Sequence, residues 1–375
     1  MRLVVYGDIG GSGGYVRYCK GLFGSESIPK DIEIWFFCSQ SFCDQLAPLD
    51  HGVHVISHPW MTSNSRIKRY LWYLWKYPQL VRRIKPDIEF YPSGQLRVYL
   101  RKALTVSTCH NLLLFDEKEL KRIEDKHEQL FFQGYRKNQT RSFLKSDAVI
   151  FLSNHSKKVV CNEIPGLNLN TVIAHGLDKI FINHEQRSYE VGKRINLLYI
   201  SPIYHYKHQI EVVKAIQILR VSLKLDICIS FIGVGESSAA SQLNKLVEDQ
   251  NIQDFIFLKG NMNYEDLLEE YSTSDLFIFA SSCETFGITL LEAMGARLPI
   301  ACSDRTGLSE ILKDAGLYFN PEDPESIANT ISKLIMNKDL RKTLGERACQ
   351  YALDYTWERC ASETFNYIKN IQKQK

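Results

Sequence analysis

Short apolar runs recur along the chain, each ending in a turn of polar or small residues and followed by a stretch with helical spacing. In the first half the runs are Arg2–Tyr6, Ile32–Cys38, His54–Ser57, Ile88–Tyr91, Leu104–Thr108 and Ala148–Leu152. Val172-Ile173-Ala174-His175-Gly176-Leu177-Asp178 reads as the last strand and turn of that half. The second half restarts with Ile195–Ile200 and continues through Asp226–Ile232, Phe255–Leu258, Leu276–Ala280 and Ile300–Cys302. Strand alternating with helix throughout predicts an α/β protein with mostly parallel sheets. The 375 residues exceed one ordinary core and suit two domains. The predicted divisions are a first domain over 1–182, a polar linker over 183–194 and a second domain over 195–354.

Nearly every polar cluster stands directly after a strand, which is the edge of an open parallel sheet where ligands bind. After the first strand comes Gly7-Asp8-Ile9-Gly10-Gly11-Ser12-Gly13-Gly14, then a helical stretch from Tyr15. Such a loop lets backbone approach a ligand and aims the amides of a helix start at an anion. It departs from G-x-G-x-x-G, which weighs against a nicotinamide-dependent oxidoreductase. His110, in Ser107-Thr108-Cys109-His110-Asn111, is a better functional candidate than the other nine histidines, with a buried structural imidazole as the alternative.

The stretch SSCETFGITLLEAMGARLPIACSD (281–304) places Glu284 and Glu292 on either side of an apolar run. A helix starting near Phe286–Ile288 puts Glu284 in the preceding loop and Glu292 in the second turn. The amides around Gly287 then form a phosphate site, Glu292 can accept hydrogen bonds from a ribose diol, and Lys207 can offset a diphosphate. Together they describe a sugar-nucleotide site. The bland readings are a solvated helix face for Glu292 and a surface lysine for Lys207.

Composition narrows the setting. The chain is 45% hydrophobic and 24% charged, as in soluble globular proteins. Its ten cysteines form no Cys-x-x-Cys pair, which points to reduced thiols in the cytoplasm. No run approaches a membrane span, and the apolar stretch at the N-terminus is too short for a signal peptide. Residues 1–180 hold 25 Lys/Arg against 17 Asp/Glu, whereas the remainder holds 21 against 26. The basic half suits a phosphate-rich partner. Nucleic acid is the remote candidate, since no binding motif accompanies the charge. Within it, 65–85 mixes Trp72, Trp75 and three tyrosines with Arg66, Lys68, Arg69, Lys76, Arg82, Arg83 and Lys85. That mixture suits peripheral contact with an anionic membrane, against the alternative of a helix packing its aromatics into the core. Pro78 is expected to interrupt any single long helix there.

The stretch from Glu284 to Asp304 resembles the E-x7-E signature of the retaining family-4 glycosyltransferases (glycosyl transferases group 1), which have the GT-B fold. Ser201-Pro202-Ile203-Tyr204-His205-Tyr206-Lys207 is similar to the lysine loop of that family, and Phe231-Ile232-Gly233-Val234-Gly235 to its second-strand loop. Thr273–Ile278, Leu308–Ile311 and Ala315–Phe319 also fit. The similarity is dense over about 195–360 and looser but collinear over 1–180.

The resemblance implies two Rossmann-like domains facing a cleft, the acceptor mainly in the first and the nucleotide sugar in the second. It implies a helix from about Tyr355 to Lys375 that crosses back to the first domain. It also implies no cofactor and no metal, the nucleotide-diphosphate sugar serving as donor substrate. Glu284, His110 and Lys207 would be catalytic, with Glu284 and His110 by the transferred sugar and Glu292 by the ribose. Phe286, Gly287, Ile288 and Thr289 would hold the diphosphate with Lys207. Gly233 lies in the second-strand loop, Gly260 and Asn261 near the base, and Gly13 and Gly14 beside the donor phosphate and acceptor. One departure stands out: the arginine common about five residues before the lysine is replaced here by Pro202, so the second cation is missing or comes from elsewhere, Arg17 being a candidate. The variant Ser-Pro-Ile-Tyr turn resembles that of some bacterial surface-polysaccharide sugar transferases, and this resemblance points to a mannosyl-type or related donor, GDP-mannose or a UDP-sugar. It also points to surface-polysaccharide synthesis of the O-antigen kind, at the inner face of the plasma membrane if the membrane reading holds. A lipid-linked saccharide is then the natural acceptor. The rival reading is a non-catalytic GT-B-like protein that binds a sugar nucleotide or a partner.

Overall fold

The computed structural model describes the chain apart from residues 8–12, 25–27, 47, 50–51, 97–102, 124, 183–186, 191, 193, 236–237 and 374–375. Much of the first glycine loop, part of the predicted linker and Glu236 therefore lie outside the described residues.

The first sheet contains β1 (Arg2–Tyr6), β2 (Glu33–Phe37), β3 (Val53–Ile56), β4 (Ile88–Tyr91), β5 (Leu104–Thr108), β6 (Ala148–Phe151) and β7 (Leu169–Val172). The second contains β8 (Arg194–Ile200), β9 (Asp226–Ile232), β10 (Ile256–Leu258), β11 (Leu276–Phe279), β12 (Ile300–Ser303) and β13 (Leu317–Phe319). Their orders are β3-β2-β1-β4-β5-β6-β7 and β10-β9-β8-β11-β12-β13. Every described pairing is parallel, with Val4 opposite Trp35 and Glu89 in the first sheet and Leu198 opposite Ser230 and Phe277 in the second. Both are Rossmann-like, since the chain runs outward from the first strand, returns, and continues on its other side. Helices cover both faces, so the inner strands β4, β6, β11 and β12 are buried along their whole length. The edge strands β3 and β7 are only partly buried.

Two strands depart from the sequence reading. β7 ends at Val172 rather than starting there, because LNTV carries too little apolar character to stand out at a sheet edge. β13 closes the second sheet with only three residues, too short a run for periodicity to reveal.

The chain divides into two compact units, one of Met1–Phe115, Gln133–Gly176 and Tyr355–Lys375, the other of Asp116–Phe132 and Leu177–Asp354. The boundary thus falls before 177 rather than after 182, and 116–132 groups with the second unit. The described residues of the expected linker, such as 187–190, group with that unit. The Arg187 guanidinium donates to the carbonyls of Tyr271 (3.1 Å), Ala296 (3.3 Å) and Ser274, and buried Arg341 donates twice to the Tyr189 carbonyl (3.1 and 2.7 Å). Polar composition suggested a loose connection, but a guanidinium fork can satisfy several buried carbonyls at once.

In the first unit the helix Trp357–Lys373 packs on the helix Gly14–Phe23. A Cβ at Gly21 would stand 2.1 Å from the Trp357 ring, so only glycine admits the indole there. Nor does Pro78 interrupt its helix. Helical structure is continuous from Arg66 to Ile84, with a π turn at Trp72–Lys76 in which the Tyr77 amide reaches the Trp72 carbonyl. The α ladder is already broken at that turn, so the amide proline lacks costs little.

Candidate active site

In the second unit the order of strand addition reverses between the parallel neighbours β8 and β11. Loops leaving the C-terminal ends of such neighbours part from each other and open a crevice. Both loops there carry a sequence-predicted residue, and the structure brings the two together. Lys207, from the loop after β8, donates through Nζ to Oε1 of Glu284, from the loop after β11. Their side chains are 7% and 15% exposed. Lys207 is therefore no surface lysine. Its ammonium also lies 5.0 Å from the centre of the Tyr206 ring and 5.8 Å from that of Phe279, within range of cation–π attraction.

Several contacts hold these loops in place. The Tyr199 hydroxyl donates to the Lys207 carbonyl at 2.6 Å, and the Ser282 amide donates to the Tyr206 carbonyl at 2.8 Å. His208 adopts a left-handed backbone (φ 52°), and its buried ring shares a hydrogen bond with Ser282 Oγ at 2.9 Å through Nε2. On the other side its Nδ1 lies 3.6 Å from Glu211. No sequence spacing singled out His208, although it pins the lysine loop to the glutamate loop.

The helix Ile288–Gly295 begins where expected, with Gly287 as its N-cap in the left-handed region. Its first amides have no acceptor within the helix and present the positive end of the dipole. Glu292, one turn in, is buried to 1% exposure, so it does not lie on a solvated face. Its Oε2 accepts from the Tyr271 hydroxyl at 2.9 Å, and the same hydroxyl lies 3.2 Å from the Thr289 carbonyl. Tyr271, on the preceding helix Tyr264–Thr273, had no signal in the sequence beyond an apolar-face position.

The loops after β9 and β10 join the same edge. The Gly233 amide donates to the Gly260 carbonyl at 2.7 Å. Gly233 has φ +134°, and a Cβ there would lie 2.2 Å from the Ser201 carbonyl oxygen, so glycine is required for the β9 loop to lie against the β8 loop. Gly260 has open space around it and Asn261 is exposed. β10 stands two strands from β8, about 10 Å at ordinary strand spacing. Elsewhere in this unit a cleft of about 490 Å³ is lined by Asp125, Glu128, Phe131, Phe132, Tyr204 and Ser238.

The first unit holds the remaining predicted residues. Gly13 (φ 60°) caps the helix Gly14–Phe23, and Gly14 opens it. His110 follows β5 among rings. Its centroid is 4.7 Å from that of Tyr18, 5.7 Å from Tyr15 and 5.5 Å from His175. Burial pushes its pKa down to about 3, so the imidazole is neutral near pH 7. His175, between Tyr18 and Trp357, is also driven well below its ordinary value, first by burial and then by His110. His110 is thus a buried, neutral imidazole packed among aromatic rings.

Comparison with known proteins gives two family matches in tandem. Residues 27–179 match the model described as Glycosyltransferase Family 4, and 181–351 the model described as Glycosyl transferases group 1. O-antigen chain mannosyltransferase B of Escherichia coli is 33% identical over 125 residues, which is 33% of this chain and 33% of that protein. An uncharacterized glycosyltransferase of Methanocaldococcus jannaschii is 25% identical over 217 residues, 57% of each chain. The chain thus spans between a third and three fifths of the length of these curated relatives. Among solved structures, Anabaena HepE in complex with UDP-glucose superposes with a TM-score of 0.77 at 15% identity, over 99% of this chain and 100% of that one.

Proposed function

The chain belongs to the group 1, family 4 glycosyltransferases of the GT-B fold, and we propose that it is a retaining, metal-independent hexosyltransferase. In this reading it moves a mannosyl-type or related sugar from a nucleotide diphosphate to a saccharide acceptor carried on a lipid. Its setting is surface-polysaccharide synthesis at the cytoplasmic face of the plasma membrane. The observation that carries the proposal is the meeting of Lys207 and Glu284 where β8 and β11 part.

On donor binding, Lys207 exchanges the Glu284 carboxylate for the diphosphate and frees that carboxylate for hydroxyls of the transferred sugar. Glycosidic cleavage leaves charge on the departing phosphate oxygen. Lys207 and the amides of Phe286, Gly287, Ile288 and Thr289 stabilise that charge as it develops, the kind of interaction that contributes most to catalysis. Glu292, oriented by Tyr271, accepts hydrogen bonds from the ribose, while Gly233, Gly260 and Asn261 border the base. In the first unit, His110 and the Gly13–Gly14 turn are the residues proposed for the sugar and acceptor. Attack comes from the face the diphosphate leaves, and the leaving phosphate takes the proton of the acceptor hydroxyl. The similarity to a mannosyltransferase of O-antigen synthesis supports the donor and pathway class.

The first test is thermal stabilisation by UDP, GDP, ADP and their sugar conjugates. A nucleotide at 100 times its dissociation constant adds about 2.7 kcal/mol. Stabilisation by one base, reduced in Glu292→Ala, supports the site; no stabilisation by any of them overturns it. Binding without transfer to any saccharide would move the non-catalytic reading to the front. The anomeric configuration of the product, read by NMR, then tests retention, and an unchanged rate in chelator tests metal independence.

A further inference from the structure

A helix on a globular protein turns its apolar stripe toward the core. The segment Arg66–Lys76 turns one toward solvent. Ile67, Tyr70, Leu71, Leu74 and Trp75 recur at i, i+3, i+4, i+7 and i+8, and are 71%, 64%, 38%, 60% and 51% exposed. The opposite face is anchored. Trp72 is fully buried with Phe37, Met61 and Tyr77, its ring stacked 4.9 Å from His58. The Tyr77 hydroxyl donates at 3.0 Å to the buried carboxylate of Glu89 on β4. The outward stripe therefore sits on a helix that is already fixed to the first unit, so the inner face has no need of these side chains.

Charge identifies the occupant. Between His51 and Pro86 the chain has seven Lys/Arg and no Asp or Glu. Arg66, Lys68 and Arg69 flank one end of the stripe. Lys76 ends the other, its ammonium 4.7 Å from the centre of the Trp75 ring. A basic surface of that kind is complementary to anionic lipid. Tryptophan and tyrosine favour the depth of lipid headgroups. From Ile67 to Trp75 the stripe is about 12 Å long, which suits a helix lying in the interface and is far short of a span.

We propose that Ile67, Tyr70, Leu71, Leu74 and Trp75 enter the headgroup region of an anionic bilayer and dock the first unit there, with Arg66, Lys68, Arg69 and Lys76 on lipid phosphates. The inference rests on the membrane setting of the transferase reading and deepens it by naming the docking surface, which itself needs neither donor nor acceptor.

The test is co-sedimentation of the full chain with vesicles of phosphatidylcholine alone or with roughly one third phosphatidylglycerol, in low and high salt. Binding is expected only to the anionic vesicles, and to weaken with salt. The paired substitution Leu74→Glu and Trp75→Glu should lower partitioning about tenfold or more. Val221→Glu, at a 79% exposed apolar position of the second unit, should leave it unchanged. Circular dichroism checks that both variants remain folded. Failure of the wild type to bind anionic vesicles, or equal binding by the paired variant, overturns the proposal. A dimer in solution that the paired variant dissolves would also overturn it, by assigning the stripe to a second copy of the chain. Since no nucleotide is present, failure here leaves the donor site untouched, and failure to bind a nucleotide leaves this result standing.

Discussion

Acid should destabilise the first unit through His110 and His175. An unfolded chain protonates an imidazole near pH 6.5, whereas burial holds His110 neutral down to about pH 3. A base whose folded pKa is depressed contributes its full stability above the unfolded value. That contribution is lost as pH falls from about 6.5 toward 3, because only the unfolded state binds the proton in that window. At pH 5 the loss is about 1.5 units of about 1.4 kcal/mol, or about 2 kcal/mol for His110. His175 is depressed in the same direction, by burial and by its neighbour. It therefore adds to the loss in the same pH direction.

Tryptophan fluorescence reads this unit selectively. All five tryptophans (35, 60, 72, 75 and 357) belong to it, and the Trp357 ring lies 5.6 Å from that of His175, tilted by 39°. Urea unfolding at pH 7, 6 and 5 should show the midpoint falling with pH. His110→Gln should weaken that dependence, and the further change His175→Gln should weaken it again. Equal pH dependence in wild type and double variant would refute the reasoning, as would an NMR titration placing either imidazole near 6.5. The same titration bears on chemistry, since a neutral His110 predicts no limb near pH 6.5 from this residue in the pH–rate profile.

The Lys207–Glu284 pair should behave as a desolvated couple. Lys207→Met leaves a largely buried carboxylate without its partner and should cost about 3–5 kcal/mol in thermal or urea denaturation. Lys207→Met with Glu284→Gln should recover most of that stability while transfer stays abolished, and a single variant as stable as wild type would contradict the pairing. Tyr271→Phe removes the hydroxyl that holds Glu292 and should cost about 1–3 kcal/mol. It should also raise the donor KM more than it lowers kcat, and an unchanged donor KM would show that Glu292 needs no such support.

Much of the α/β pattern was legible because strands buried on both faces leave unbroken apolar runs. Ile88–Tyr91, Leu104–Thr108 and Asp226–Ile232 have the predicted bounds. The helix start at Phe286–Ile288 was legible for a local reason, a glycine directly before a helical apolar run. What escaped was long-range or ambiguous in composition. A segment such as 187–190 is polar whether its groups meet water or buried carbonyls, and nothing in the sequence distinguishes the two. In 65–85 the composition does not separate a buried face from an exposed one, and the helix has both, with Trp72 buried and Trp75 half-exposed. Glu284 and Glu292 were legible as a loop residue and a helical one, but not their partners, Lys207 for the first and Tyr271 for the second. Lys207 and Glu284 are 77 residues apart. Each could be recognised as a polar residue following a strand, yet their contact depends on which strands are neighbours. Had β9 rather than β8 stood beside β11, the same two loops would lie on opposite sides of an intervening strand, with no shared crevice. The pairing is therefore a property of strand order, and strand order arises from how each crossover helix packs its apolar face, a choice that no single motif encodes.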